Sequence, residues 1–243
     1  AEPVLTGKTF RLAAPSCVIA DRVGPNCRVL AGRVDEVGLM FLETAGCLAY
    51  DQRDLPLDLP SLGLSFHVHL PLDLPWDGGA AGVSATILAL EEKIAFLRPR
   101  HYVLHPPGAA QLEALLSLRP EISARLCLEN TRQDDLAALW REITDLDLGV
   151  CLDLGHLVSY GQEHILDLPG IFERIRILHV YGGENSSGHL GLDCLPDPSL
   201  LHDILARLGR GCALVVEVFD LPSLENSLML LKSWLSEWGM DHG

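Results

Sequence analysis

Six short apolar runs of the sequence each end in a histidine, an aspartate or a glutamate. The clearest is Arg125-Leu-Cys-Leu-Glu-Asn-Thr131, in which Glu129 follows an apolar run and precedes turn residues. In the other five runs the last residue is His69, His105, Asp153, His179 or Glu217. These residue types bind divalent cations and transfer protons. Six such residues at equivalent points predict one shared chemical site.

Each of these residues has a simpler interpretation when it is considered alone. A carboxylate after a strand is often a helix N-cap, and Asp153 begins Asp-Leu-Gly-His, which suits a capped turn. A single histidine on a strand is more often a core residue. The number of such residues favours a site, and His156 lies three residues after Asp153, where a tight turn can aim both side chains at one point. His67 and His69 share a strand face, and we expect His69 to be the ligand and His67 to lie deeper.

A ring of histidines and carboxylates is costly without cations, because unpaired buried charges repel and lose their hydration. Mixed nitrogen and oxygen ligands suit Zn²⁺ or Mn²⁺ better than Mg²⁺ or Ca²⁺. The candidates outnumber the ligands of one catalytic zinc, so we expect one to three divalent ions per chain. The catalytic candidates are Glu129, Glu217 and His69.

The apolar runs alternate with helical patterns along the whole chain. Eight strands are predicted, at 10–14, 36–41, 64–70, 102–105, 125–129, 149–153, 176–179 and 213–218. Helices are predicted near 26–31, 80–97, 109–118, 134–144, 198–208 and 221–238, with short helical pieces over 156–174. Continuous apolar strands indicate a parallel sheet covered on both faces. Eight units favour a single (β/α)₈ TIM-barrel domain over 1–243, an α/β fold whose site lies at the C-terminal strand ends.

The composition restricts the partners and the cellular location that we expect. The net charge is −15, and Lys8, Lys93 and Lys232 are the only lysines. A nucleic-acid partner or an anionic membrane surface is therefore disfavoured, and a small-molecule substrate is expected. The seven cysteines form no CxxC pair, no basic segment followed by an apolar one opens the given sequence, and no run of about 18 apolar residues occurs. We expect reduced thiols in a cytoplasmic protein, and the sequence does not predict an oligomeric state.

The strand ends resemble those of the xylose isomerase-like barrel superfamily, which includes AP endonucleases and sugar isomerases or epimerases. The resemblance covers nearly the whole chain and implies metal ligands at the matching positions. For the epimerase branch these positions are Glu129, Asp153, His179 and Glu217, and the two glutamates also exchange protons with the substrate. For the AP endonuclease branch the resemblance adds His69, His105, His156 and His189. That branch has an aspartate where this chain has Ser187, so the third metal site lacks its carboxylate at this position.

A narrower resemblance points to the cobamide-remodelling phosphodiesterases of the CbiR type. Four segments carry this resemblance: 34–43, 68–73, 151–156 and 216–219. It implies hydrolysis of the phosphodiester that joins the nucleotide loop of a B12-type cofactor to its corrin ring. The substrate would need a wide apolar rim, for which the candidates are Phe41, Trp76 and Tyr181.

Three alternatives remain open from the sequence. The first is a sugar or sugar-phosphate isomerase or epimerase with Glu129 and Glu217 as an acid/base pair, which needs fewer histidines than are present. The second is an AP endonuclease-like nuclease, which the charge disfavours. The third is a protein that binds a corrinoid or a metal without catalysis.

Overall fold

The computed structural model describes residues 9–242 and contains a closed barrel of eight parallel strands. The barrel strands are β1 (Thr9–Pro15), β2 (Glu36–Met40), β3 (Ser65–His69), β4 (Tyr102–Leu104), β5 (Leu126–Glu129), β6 (Gly149–Asp153), β7 (Ile175–Val180) and β10 (Ala213–Val216). Each strand pairs with the next in the chain, and β1 pairs in parallel with β10 to close the barrel. The predicted (β/α)₈ architecture is therefore confirmed.

Three short strands lie outside the barrel wall. An antiparallel hairpin after β7 consists of β8 (Glu184–Asn185) and β9 (Gly188–His189). At the end of the described chain, β11 (Asp241–His242) pairs with the start of β1. The sequence predicts no strand over 184–189 or 241–242, so both features are additions to the prediction.

Nine α-helices connect and surround the strands in residues 9–242. They are α1 (Val23–Leu30), α2 (Thr44–Ala49), α3 (Ala80–Ile94), α4 (Ala109–Leu118), α5 (Trp140–Asp145), α6 (Leu154–Tyr160), α7 (Ile171–Arg174), α8 (Pro198–Arg207) and α9 (Leu221–Glu237). Short 3₁₀ helices lie at Leu59–Leu62, Trp76–Gly78, Ala95–Leu97, Pro120–Arg125, Ala137–Leu139, Glu163–Asp167 and Leu192–Cys194. None of these described helices is long and apolar enough to cross a membrane.

The helix predicted over 134–144 begins later than expected. Asp134 and Asp135 accept hydrogen bonds from the backbone N–H groups two residues ahead, at Leu136 and Ala137. Leu136 also has a left-handed backbone conformation, with φ of 69°. Aspartate side chains that bond nearby backbone groups compete with helix formation, so the α-helix starts only at Trp140.

Two strands end before the predicted ligands that follow them. β4 ends at Leu104 and β10 ends at Val216, so His105 and Glu217 lie just beyond the strand ends. Pro106 and Pro107 follow His105 and have no N–H to donate, which explains why β4 cannot extend. The two side chains therefore lie on the first residues of the loops at the C-terminal mouth of the barrel.

A small apolar cluster, separate from the main core, fills the barrel interior. It consists of Ala13, Val103, Cys127, Cys151, Ile177, Ala213 and Val215. Several of its members face each other across neighbouring strands, as Val103 faces Cys127 and Cys151 faces Ile177. All seven cysteines of the chain lie in the described residues and are free thiols, as predicted, and five of them are buried.

Candidate metal centre

The predicted ligands form the layer directly above the interior apolar cluster. Side chains alternate along a strand, so a residue two positions further points to the same side, one step nearer the mouth. Five members of the cluster are followed at that spacing by His105, Glu129, Asp153, His179 and Glu217. The apolar layer therefore positions the polar layer above it, and the structure brings these five predicted residues together.

Glu129 occupies the centre of this layer and is 2% exposed. Its Oε2 atom lies 3.1 Å from Nε2 of His69 and 3.5 Å from Nε2 of His105. Its Oε1 atom lies 3.4 Å from Nδ1 of His179. Burial alone would raise the pKa of Glu129, but these three histidines lower it well below its usual range. The carboxylate is therefore ionised and directs its two oxygens towards two different sets of ligands.

The first set contains His69, His105 and Glu129, with one ligand atom of each within 4.8 Å of the others. Nδ1 of His69 lies 3.0 Å from the carbonyl oxygen of Leu70. A carbonyl oxygen only accepts hydrogen bonds, so Nδ1 carries a proton and Nε2 faces Glu129. This arrangement fixes the ring orientation in the way that is usual for metal-binding histidines.

The second set contains Glu129, Asp153, His179 and Glu217, whose ligand atoms also lie within 4.8 Å of one another. All four residues are at most 3% exposed. Nδ1 of His179 lies 3.3 Å from Oδ2 of Asp153 and 3.1 Å from Oε2 of Glu217. Burial alone would lower the pKa of His179, but the carboxylates of Glu217 and Glu129 raise it well above its usual value. Three buried carboxylates thus require a positive charge, and this donor set fits a divalent cation.

Asp153 combines the two roles that the sequence left open. Its Oδ1 atom accepts a hydrogen bond from the backbone N–H of His156 at 2.6 Å and so caps the N-terminus of α6. Its Oδ2 atom faces the rings of His179, at 3.3 Å, and His156, at 3.2 Å. The cap holds the carboxylate in position, and the second oxygen is directed towards the ligand set.

Asn130 joins the ends of β5 and β6 next to these ligands. Its Oδ1 atom accepts the N–H of Asp153 at 2.7 Å, and its Nδ2 atom donates to the carbonyl of Asp153 at 3.0 Å. Nδ2 also donates to Oε1 of Gln162, and the carbonyl of Asn130 accepts from Nδ1 of His156 at 2.9 Å. No role was predicted for this buried residue, although it follows Glu129 directly. Its bonds hold Glu129, Asp153 and His156 in fixed relative positions.

A third set joins His156 and His189 with Glu184, which the sequence analysis missed. Glu184 and His189 are opposed in the β8–β9 hairpin. Ser187, which stands where the resembling branch has an aspartate, is exposed at the hairpin tip. The signal for Glu184 was its place before Asn185-Ser-Ser-Gly188, a polar turn that predicts a hairpin and places Glu184 opposite His189.

The prediction that Phe41, Trp76 and Tyr181 contact the substrate needs correction at two of the three residues. Phe41 and Tyr181 are both completely buried, so neither side chain can contact a substrate at the surface. Phe41 packs edge-on against Tyr50, at 5.7 Å between ring centroids. Trp76 is half-buried in a 3₁₀ helix, where it packs against the core. All three are aromatic residues near the predicted mouth, and residue type does not distinguish a buried ring from an exposed one.

Tyr181 instead belongs to the interior beside the ligands. Its ring stacks on the ring of His189, with centroids 4.0 Å apart and planes 4° apart. Burial, together with the carboxylates of Asp153 and Glu217, raises its pKa well above the usual value. Among the described residues its buried hydroxyl has no hydrogen-bond partner. An unsatisfied buried hydroxyl beside three carboxylates fits a site that binds an additional group.

Two further titratable residues near the centre have structural roles. His67 is hydrogen-bonded at 2.8 Å to Oε1 of Glu36, and it belongs to none of the ligand sets found in residues 9–242. Cys151 lies within reach of Glu129 and His179. Burial raises the pKa of Cys151 well above its usual value, so its thiol is neutral and packs in the apolar layer.

No protein-family profile and no curated protein matches this sequence. Solved structures do match. Endonuclease IV from Thermus thermophilus aligns with a TM-score of 0.67 at 17% identity, over 93% of this chain and 99% of that one. The 3-keto-D-glucoside 4-epimerase from E. coli aligns with a TM-score of 0.65 at 13% identity, over 94% and 100%. A probable 3-DHS dehydratase from Bacillus anthracis gives 0.68 at 11%, over 92% and 99%. The chain therefore has the fold of the xylose isomerase-like and AP endonuclease-like TIM barrels.

Proposed function

We propose that this protein is a divalent-metal-dependent phosphodiesterase. The observation that carries the proposal is the carboxylate of Glu129, whose two oxygens face two separate ligand sets. Hydrolysis of phosphodiesters commonly uses a pair of cations, one on each side of the reacting phosphorus. A single-metal isomerase would need the set of Glu129, Asp153, His179 and Glu217 but would leave His69 and His105 without a function.

The residues of the two sets have distinct roles in this proposal. The sets that share Glu129 would hold two cations, which would supply positive charge for the phosphodiester oxygens and promote ionisation of the attacking water. Glu217 is 3% exposed, and although burial raises its pKa, His179 lowers it below the usual value. Its ionised carboxylate can therefore accept the proton of that water. The backbone carbonyl of Leu70 holds the His69 ring towards Glu129.

The surface around the site indicates the class of substrate. Three exposed apolar side chains follow barrel strands at the mouth: Leu42 after β2, Leu72 after β3 and Phe219 after β10, exposed by 38%, 54% and 43%. We call these three residues the apolar rim. Leu72 donates its N–H to the carbonyl of Leu42 at 3.0 Å, and the ring of Phe219 lies 5.0 Å from the ring of His189. An apolar surface beside the ligand sets suits a substrate with a large apolar body and one phosphodiester.

A cobamide has that combination, and the segments over 34–43, 68–73, 151–156 and 216–219 resemble cobamide-remodelling phosphodiesterases. The net charge of −15 is compatible with a substrate that carries one phosphodiester and disfavours a nucleic-acid polyanion. In the proposed reaction, water adds to phosphorus and one P–O bond breaks. The oxygen of the leaving group receives a proton, and the phosphorus remains as a phosphate monoester on one of the two products.

The test is incubation of the zinc- or manganese-loaded protein with several cobamides, followed by chromatography of the corrinoid products. We expect the lower nucleotide to be separated from a cobinamide-type product, and we expect Glu217→Gln to abolish this release. Glu43→Gln is the matched control, because Glu43 is exposed at the same end of the barrel and outside the ligand sets found in residues 9–242. Intact cobamides with every lower ligand would contradict the proposal.

The same protein preparation distinguishes the alternatives. Proton exchange at a keto-sugar carbon would support the isomerase or epimerase, for which Glu129 and Glu217 are the acid/base pair. Nicking of duplex DNA at an abasic site would support the nuclease. Cobamide binding without turnover, unchanged in Glu217→Gln, would support a binding protein.

A further inference from the structure

The hairpin after β7 places a carboxylate beside a histidine. Glu184 and His189 are directly opposed in the antiparallel pair, so their side chains project from the same face of the hairpin. The ring of His156, from α6, meets them there. Its Nε2 atom lies 3.4 Å from Oε2 of Glu184, and its ring is perpendicular to that of His189, with centroids 6.2 Å apart. Ligand atoms of the three residues lie within 4.8 Å of one another.

Both histidines are oriented for binding through Nε2. Nδ1 of His156 bonds to the carbonyl oxygen of Asn130 at 2.9 Å, and Nδ1 of His189 bonds to that of Glu217 at 2.8 Å. Each Nδ1 therefore carries a proton, which leaves the lone pair of the neutral ring on Nε2. A backbone carbonyl that accepts from the remote ring nitrogen is the usual support of a metal-binding histidine.

Glu184 is held at this point by residues outside the ligand sets. Arg132 donates to its Oε1 at 2.6 Å, and the hydroxyl of Tyr160 donates to its Oε2 at 2.7 Å. Its backbone N–H donates to Oγ of Ser159 in α6 at 2.8 Å. Burial alone would raise the pKa of Glu184, but Tyr160 and Arg132 lower it. Because each carboxylate oxygen can accept two bonds, Oε2 keeps a lone pair in addition to the one used by Tyr160.

We propose that Glu184, His156 and His189 form a separate zinc site, in which Glu184 supplies the carboxylate that the sequence lacks at position 187. Two histidine nitrogens and one carboxylate oxygen are a common set for a zinc ion with one open position. Ser187 does not take part, because it is exposed at the hairpin tip and its N–H bonds to Oδ1 of Asn185. The site shares no residue with the two sets around Glu129. The proposal rests on the proposed function in one respect only, which is that both assign divalent cations to clusters of histidines and carboxylates.

The test is the zinc content per chain, measured by mass spectrometry of the purified protein after saturation with zinc and removal of the excess. We expect Glu184→Gln and His189→Ala each to lose about one zinc equivalent, and the double variant to lose the same equivalent rather than two. Ser187→Ala is the matched control in the same hairpin and should keep the full content. Circular dichroism of each variant shows whether the barrel is folded.

The outcomes separate this inference from the proposed function. If Glu184→Gln keeps the zinc content of the wild-type protein, or if the losses in the double variant add, the separate site is wrong. Cobamide cleavage by the wild-type protein would leave the proposed function intact in that case. If zinc content falls as expected but no cobamide is cleaved, the zinc site stands and the proposed function fails.

Discussion

Nε2 of His69 lies 3.1 Å from Oε2 of Glu129, on a carboxylate whose other oxygen faces His179 at 3.4 Å. One buried side chain therefore belongs to two ligand sets, one on each of its oxygens. This arrangement follows from the barrel, because Glu129 is the last residue of β5 and lies between β4 and β6 in the closed sheet.

Replacement of Glu129 should affect both sets at once. We expect Glu129→Gln to lose about two metal equivalents, since the amide nitrogen carries no lone pair for a cation and no negative charge remains. Asp153→Asn should lose about one, because Asp153 belongs to one of the two sets. Metal analysis after dialysis measures the difference, with Glu43→Gln as the control. Equal losses in the two variants would show that Glu129 is not shared.

Asn130 should support metal affinity without contacting a cation. Its side chain bonds to the backbone of Asp153, and its own carbonyl oxygen orients the ring of His156. We expect Asn130→Ala to weaken zinc binding by roughly 10–100-fold, which is typical when a residue that orients metal ligands is removed. Competition with a chromogenic chelator measures the affinity. Unchanged affinity in a folded variant would mean that the strand ends hold their ligands without Asn130.

The sequence was sufficient to predict the barrel and most of the polar layer, because both depend on local patterns. Apolar runs that end in Glu129 or His179 indicate strand ends, and a parallel barrel brings strand ends together. The exposure of a side chain could not be predicted from local patterns, so Phe41, which is buried, was wrongly predicted to contact the substrate. Glu184 was missed because its position depends on hairpin pairing with His189 and on Arg132, which lies 52 residues earlier in the chain.

Gly155 should be essential for packing rather than for chemistry. A Cβ atom at this position would lie 2.0 Å from the ring of Tyr181, which is itself buried against His189. We expect Gly155→Ala to lower the free energy of unfolding by about 1–3 kcal/mol, the usual cost of an overpacked core. Denaturant titration of the metal-free protein measures this, and Gly155→Ala combined with Tyr181→Leu should recover part of the loss. A loss that is the same with and without Tyr181 would point to the helix rather than to the ring.

Glu36 should make the stability of the barrel depend on pH in the acid range. It is completely buried, with His67 at 2.8 Å, Arg11 at 2.7 Å and Ser65 at 3.0 Å. Burial alone would raise its pKa, but His67 and Arg11 lower it from 4.5 to about 2. The carboxylate therefore binds a proton more weakly in the folded state than in the unfolded state. Its contribution is complete above pH 4.5 and is lost as the pH falls towards 2.

The comparison that isolates this contribution is the unfolding free energy of the wild-type protein and Glu36→Gln over the same pH range. The variant should be less stable above pH 4.5, and the two curves should converge by about pH 2. Parallel curves would show that Glu36 keeps its usual pKa in the folded protein.

The apolar rim should affect substrate binding more than the chemical step. Phe219 lies against His189, and Leu72 is exposed on the loop after β3, but neither carries a group that could bind a cation or transfer a proton. We expect Leu72→Ser and Phe219→Ser to raise the KM for a cobamide and to leave hydrolysis of a small aryl phosphodiester unchanged, because only the larger substrate reaches the rim. Leu118→Ser is the matched control, since Leu118 is 54% exposed at the C-terminal end of α4. Equal effects on both substrates would assign these residues to the integrity of the site, and no effect on either would place the corrin ring elsewhere.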